Sequence, residues 1–214
     1  MKKMKLYGQA PSRALRVLWL LNELGIDYEQ VLIDPDSEEA RSPEFRALNP
    51  TGKVPVLVDG DMVLTESAAI QIYLAEKFPA SGLIPGDIVE RAQMYRWIFF
   101  LVTEIEQPLW RIARNTVIYP EEQRIPADIE IATRECKEMV AVLEKHMQRR
   151  KYLVGNRLSV ADLNAAYTLD WAGFADMLGD APALRAYVER MYARPKAPPT
   201  IEAAFAALRE QGGG

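Results

Sequence analysis

The sequence predicts an α/β domain over residues 1–80, a linker over 81–88 and an all-α helical domain over 89–214. Three observations carry this prediction. Strand and helix periodicities alternate through the first eighty residues, and an Asp-Gly pair at 59–60 sits between two β-type runs. Beyond the Pro/Gly/Ser cluster "PASGLIPGD" only helical patterns remain.

Lys5-Leu6-Tyr7 reads as a short strand. Leu15, Leu18, Leu21 and Leu24 mark a helix that Gly25 terminates, glycine being common just past a helix end. "YEQVLI" is a second strand, followed by a charged, irregular stretch with a short helix at "SPEFRALN". "VPVLV" and "MVL" flank Asp59-Gly60, a pair suited to a tight hairpin turn. "TESAAIQIYLAEKF" then forms a helix with Thr65 as N-cap and Pro79 at its end. A helix joins the first two strands, so they should be parallel; the hairpin strands should be antiparallel. A small mixed sheet of this order is of the thioredoxin-like type.

In the second half, Ile98, Val102, Ile105, Leu109 and Ile112 form one helical stripe and residues 127–148 another. Further helices are expected near 159–178, 182–193 and 199–210, with the Gly212-Gly213-Gly214 tail frayed. In "LSVADL", Ser159 as N-cap and Asp162 at N3 resemble a capping box, with Leu158 and Leu163 placed as a hydrophobic staple. Asp162 is therefore structural, and its loss is expected to cost on the order of 1 kcal/mol.

Composition narrows the function. Lys+Arg number 26 against 30 Asp+Glu, a net charge of -4, and no basic run is long enough to neutralise a row of phosphates, so nucleic acid is not an expected partner. No 18-residue apolar stretch occurs and "MKKMKLYGQAPSR" lacks a signal-type apolar core, which predicts no membrane partner and a cytoplasmic location. Cys136, the single cysteine, cannot form an internal disulfide or a CxxC pair, and lies on the apolar stripe of its helix as a small hydrophobe. His146, the single histidine, has no second histidine to build a triad or a metal cluster, so no metal is expected.

The chemistry concentrates in three places. If Val54–Pro55 is cis, the chain turns just before the hairpin and leaves the Val54 N–H and carbonyl for an extended peptide ligand; the alternative is a trans proline on an edge strand. Glu66 and Ser67 open the following helix, where free N–H groups and the positive dipole end favour a carboxylate and Glu66 an ammonium. Together they can hold the zwitterionic end of an amino acid, or form an ordinary helix start. Lys53 and Arg41 can take a second carboxylate or remain solvated cations. Ser12, where the first helix begins, either caps it or donates its hydroxyl to a thiolate, lowering the thiol pKa from roughly 8.5 towards neutrality.

"SRALRVLWLLNELGIDYE", "NPTGKVPVLVDGDMVLTESAAIQIYLAEKFP" and "LVGNRLSVADL", with the helical second half, resemble the soluble glutathione transferases, especially the bacterial members that use serine. The resemblance spans nearly the whole chain. It implies that Pro55 is a cis-proline, that Val54 pairs with the cysteinyl backbone of glutathione, and that Glu66 and Ser67 bind the γ-glutamyl end. Lys53 occupies a position that is glutamine in many relatives. Ser12 matches the serine of "SRxxR" relatives, while Tyr7 or Gln9 takes the catalytic position under other gap choices; by its own spacing Tyr7 has a core or hydroxyl-satisfying role.

The resemblance further implies conjugation of the glutathione thiol to a small hydrophobic electrophile entering between the domains, with Trp110, Arg111 and Arg114 walling that site. A structural stripe is the competing account of those three. "YRWIFF" places Tyr95, Trp97, Phe99 and Phe100 within six residues, and at helical spacing these rings cannot all face one core. A homodimer is expected, as in the family. The rival functions are a non-catalytic binding or regulatory protein, and a glutathione-dependent isomerase, dehalogenase or peroxidase.

Overall fold

The computed structural model describes residues 3–35 and 37–212, which divide into two compact units: residues up to Ile84 together with those from Pro195 onward, and Pro85–Arg194. Gly213 and Gly214 of the glycine tail lie outside the described residues.

In the first unit, β1 (Met4–Tyr7) runs parallel to β2 (Tyr28–Val31) and antiparallel to β3 (Val56–Asp59), which pairs antiparallel with β4 (Met62–Thr65). The strand order is β2-β1-β3-β4. Leu6 opposite Leu57 forms the dry centre, both fully buried. β2 is shorter than "YEQVLI" suggests because its partner leaves: the register closes at Tyr7 opposite Val31, and the Gly8 N–H makes the last bond to the Val31 carbonyl at 2.9 Å. Leu32 is then exposed, and Ile33 turns inward against Phe45 and Val56.

Helix α1 (Ala14–Leu24) buries Ala14, Leu15, Val17, Trp19, Leu20 and Leu21 and ends at Gly25, whose N–H reaches the Leu21 and Asn22 carbonyls. Helix α2 (Pro43–Leu48) is capped by Ser42, whose Oγ accepts from the Phe45 N–H at 3.2 Å, and follows a 3-10 turn at Glu39–Arg41. Helix α3 (Ser67–Lys77) is anchored to the hairpin: the Tyr73 hydroxyl donates to Asp59 Oδ2 at 2.7 Å, and Lys77 pairs with the same carboxylate. The Lys77 bond holds the Asp59 carboxyl below its usual range.

Two expectations change here. Thr65 does not cap α3; it is the last residue of β4, paired with Val56, and Glu66 takes the cap position at φ 68, ψ 111. Val54 and Pro55 lie outside the sheet, which begins at Val56, because Pro55 has no N–H to contribute to a ladder.

The second unit holds α4 (Ile88–Phe100), α5 (Gln107–Ala113), α6 (Pro126–Met147), α7 (Val160–Phe174) and α8 (Pro182–Tyr192); α9 (Ile201–Gly212) belongs to the first. Within the first unit, Lys196 ahead of α9 donates to the Glu23 carbonyl at 3.0 Å. π-helical turns at Leu101–Glu106 and Arg114–Ile118 flank α5. The first has a local cause: Pro108 lacks an N–H and its ring would collide with the carbonyl four residues back, so the turn ahead of it widens. The "YRWIFF" rings diverge, with Trp97 buried and Phe99 65% exposed.

Cys136 is fully buried, and burial pushes its thiol up to about 11, leaving it protonated and inert at neutral pH. His146 Nε2 meets the Leu153 carbonyl at 2.9 Å, its ring 4.3 Å from that of Trp97; burial lowers its pKa. Asp162, also fully buried, accepts from the Ser159 N–H (2.9 Å) and hydroxyl (2.8 Å), the Leu153 N–H (2.8 Å) and the Tyr187 hydroxyl (3.0 Å). Burial pushes its carboxyl above the usual range while these donors pull it back. No helix among the described residues is long and apolar enough to cross a membrane, and no described group of His, Cys, Asp or Glu is arranged to hold a metal ion.

Candidate active site

The site is assembled where β1 ends. Gly8 stands at φ +130, and a methyl group there would lie 3.0 Å from Ala14 Cβ and 3.1 Å from Val54 Cβ. Glycine is required twice over, by a backbone conformation that L-residues rarely adopt and by this approach. The approach places Gly8 between the first residue of α1 and Val54. We expect Gly8→Ala to displace Val54 and cost about 1–3 kcal/mol of stability, with weaker ligand binding, as measured by chemical denaturation and titration calorimetry. Unchanged stability and binding would show that Gly8 does not set the position of Val54.

Val54 is the residue on which ligand capture can turn. Its side chain is anchored in the cluster of Ile33, Ala40, Phe45 and Val56, yet its peptide N–H and carbonyl make no hydrogen bond to any described residue. Polar backbone groups in that state seek an outside partner. The Val54–Pro55 bond is cis, as is Ala10–Pro11, which the sequence did not announce. Asn49, nearly buried, holds the preceding loop: its Nδ2 donates to the Lys53 carbonyl at 2.7 Å, and its Oδ1 accepts from the Thr51 N–H and hydroxyl. A methyl group on Gly52 would lie 2.9 Å from the Ala40 carbonyl oxygen, so this loop packs on the 39–41 turn. Arg41 and Lys53, both exposed, therefore lie on apposed segments.

The start of α3 faces the start of α1. Ser67, 6% exposed, opens α3, and its Oγ accepts from Nη1 of buried Arg16 at 3.2 Å. Glu66 is exposed and holds a positive φ that a side chain adopts at a cost, which turns it out ahead of the helix N-terminus. Ser12 precedes α1: its hydroxyl donates to the Gln9 carbonyl and its Oγ accepts from the Ala14 N–H at 3.1 Å. The N-cap position of α1 falls to Arg13, without a side-chain cap bond, so Ser12 is not the cap the sequence offered; one residue earlier it holds the first helical N–H and keeps one rotatable proton that can be redirected. Tyr7 packs its ring 6.0 Å from that of Phe45 on the apolar cluster, as its strand spacing predicted. Gln9 is represented in this network by its main-chain carbonyl.

Such a site offers an amide and carbonyl to an extended peptide, two helix N-termini to anions, a carboxylate to an ammonium and a hydroxyl to a nucleophilic atom. The N-terminal domain model of the glutathione S-transferases matches residues 2–76, and their C-terminal domain model matches residues 105–195. The chain belongs to the glutathione S-transferase family. It is similar to glutathione S-transferase F10 of Arabidopsis thaliana, 32% identical over 198 residues covering 88% of this chain and 92% of the relative. It is 33% identical to the probable glutathione S-transferase GSTF1 of Oryza sativa subsp. japonica, covering 91% of this chain and 94% of that one. Among solved structures, the theta class glutathione S-transferase of Xanthomonas axonopodis pv. citri, with glutathione bound, superposes with a TM-score of 0.81 at 28% identity, covering 94% of this chain and all of the other. The similarity spans plant and bacterial proteins and does not single out a bacterial subclass.

The transferase's second unit, taken by itself, gives the remaining candidates distinct surroundings. Trp110 is half-buried, its ring edge-on to Trp171 at 6.3 Å. Arg114 donates to the Tyr119 hydroxyl at 3.3 Å. Arg111 staples α5 to α6 through Asp128, which accepts from its Nε at 3.0 Å, and through Glu135; the hydrogen bond to Arg111 holds the Asp128 carboxyl below its usual range.

Gly8, Arg16, Asn49 and Gln71 shape the candidate site, and sequence reading missed them. Asn49 and Gly52 stood inside the quoted "NPTGKVP". Arg16 carried one signal: a charged residue in a helix otherwise apolar on nearly every side.

Proposed function

We propose that this transferase binds glutathione along Val54 and conjugates its thiol to an apolar electrophile, as a serine-type member. The observation that carries the reading is the pair of main-chain groups of Val54, unpaired among the described residues, across Gly8 from the start of α1 and two residues ahead of Val56, whose ladder partner Thr65 leads into α3. The cysteinyl main chain of glutathione pairs with Val54. Its γ-glutamyl end lies at Ser67 and the α3 N-terminus, with the ammonium facing Glu66, and its glycine carboxylate faces Lys53 and Arg41. The glutathione bound in the Xanthomonas relative supports the choice of tripeptide.

The thiol lies near Ser12, whose hydroxyl turns from the Gln9 carbonyl to donate to sulfur. Next to the α1 N-terminus, this donor lowers the thiol pKa and raises the thiolate fraction at neutral pH. The thiolate then forms a carbon–sulfur bond as the electrophile's leaving group or π-electron pair departs. Trp110 and Arg114 are the second unit's candidates for contact with the electrophile, while Arg111 is committed to its carboxylates. The protein acts as a homodimer, with exposed Phe99 among the residues that the partner covers. Light scattering at micromolar concentration is expected to give twice the chain mass; a monomer contradicts the dimer.

Calorimetric titration with glutathione tests the binding reading. Wild-type protein is expected to bind at or below millimolar concentration, and Ser67→Ala to bind at least about tenfold more weakly through loss of a charge-assisted hydrogen bond. No heat of binding in the folded wild-type protein sinks the reading.

A further inference from the structure

We propose that Arg16 is a positioning residue that makes Ser67 a dedicated donor to the α-carboxylate of the γ-glutamyl group; the inference rests on the assignment of that group to Glu66 and Ser67. Arg16 lies in the first turn of α1 and is 1% exposed. Its main chain is pinned from α3 by fully buried Gln71, whose Nε2 donates to the Arg16 carbonyl at 2.9 Å.

A guanidinium has donors and no acceptor and stays protonated, so its 3.2 Å contact with Ser67 has one possible direction: Nη1–H donates and Oγ accepts. A serine hydroxyl that accepts from one side retains its own proton for the other. A cationic donor behind it makes that proton a stronger hydrogen-bond donor. Ser67 is also the first residue of α3, where the opening N–H groups have no acceptor within the helix. A carboxylate arriving there meets a polarised O–H and main-chain N–H groups with a fixed positive charge behind them. An uncharged acceptor gains less from these donors and a cationic group is repelled, so the ammonium is left to exposed Glu66. Arg16 therefore acts on which end of the amino acid is recognised, as well as tying α1 to α3.

A pair of ligands separates positioning from mere tying: glutathione, and 4-aminobutanoyl-cysteinyl-glycine, the same molecule without the α-carboxylate. Wild type, Arg16→Met, Ser67→Ala and the double variant are titrated with both. Wild type should prefer glutathione, and Arg16→Met should shrink that preference about tenfold, the worth of a charge-assisted hydrogen bond. The affinity for the analogue should hold, and the kinetic loss should fall on KM for glutathione more than on kcat. In the Ser67→Ala background, Arg16→Met should shrink the preference little further.

An equal loss on both ligands overturns the proposal, as does an undiminished Arg16→Met effect in the Ser67→Ala background. If Arg16→Met does not fold, Arg16→Lys decides. It keeps the charge without the planar fork and should lose about threefold of the preference; a folded Arg16→Lys with the full preference overturns the proposal. Wild-type protein that binds both ligands alike overturns the γ-glutamyl assignment itself, and the proposal with it.

Discussion

Asp162→Ala is expected to be the most destabilising single substitution considered for this chain, at about 3 kcal/mol or more. The capping box seen in the sequence accounts for a minor part of that figure. The carboxylate accepts from the Ser159 N–H and hydroxyl at the start of α7, from the Leu153 N–H in the preceding loop and from the Tyr187 hydroxyl on α8. Asp162 and Tyr187 are each at most 1% exposed, so water cannot take over the stranded donors without opening the packing. Each buried donor left unmade costs roughly 1–3 kcal/mol, and partial relaxation keeps the total below their sum. For a chain of this length the melting temperature should fall by about 6–12 °C. Differential scanning calorimetry measures this directly. A fall of about 1 kcal/mol would mean that the residue acts as a helix cap and no more.

Ser12→Ala is expected to give the largest change in catalysis, lowering turnover by about tenfold to a hundredfold. Its hydroxyl is the donor that can be redirected to sulfur, and each unit of thiol pKa is worth about 1.4 kcal/mol of preference for the thiolate. The direction with pH follows. Without the donor the bound thiol titrates higher, so the variant's rate should rise with pH through a range where the wild-type rate is already level, narrowing the gap in alkaline solution. Affinity for glutathione should change little, because the proposed binding contacts are those of Val54, Glu66 and Ser67. The Ala14 N–H loses its acceptor at the same time, at about 1 kcal/mol of stability. Full turnover together with an unshifted pH–rate profile in Ser12→Ala would remove Ser12 from the chemistry.

Legibility followed the range of the determining interactions. The hairpin was readable from Asp59-Gly60 because a tight turn is specified by its own two residues. α7 was readable from Ser159 and Asp162 because a capping box is contained in four. The third and fourth donors to Asp162, from Leu153 and Tyr187, come from other elements and left no local trace. Thr65 was misassigned as a cap because threonine suits both a strand end and a helix start, and pairing with Val56 decided between them. Arg16 was hidden for the same reason: its partners, Ser67 and Gln71, lie more than fifty residues away. Arg111 read as part of the electrophile site's wall because Asp128 and Glu135, which bind it, stand on the following helix.

A crystal structure of the protein with glutathione bound tests the central claim most directly. The cysteinyl main chain should pair with both the amide and the carbonyl of Val54, the γ-glutamyl carboxylate should meet Ser67, and the sulfur should lie within hydrogen-bonding reach of Ser12 Oγ. Glutathione seated elsewhere, or Val54 with its two peptide groups satisfied from within the protein while the tripeptide is bound, would contradict it.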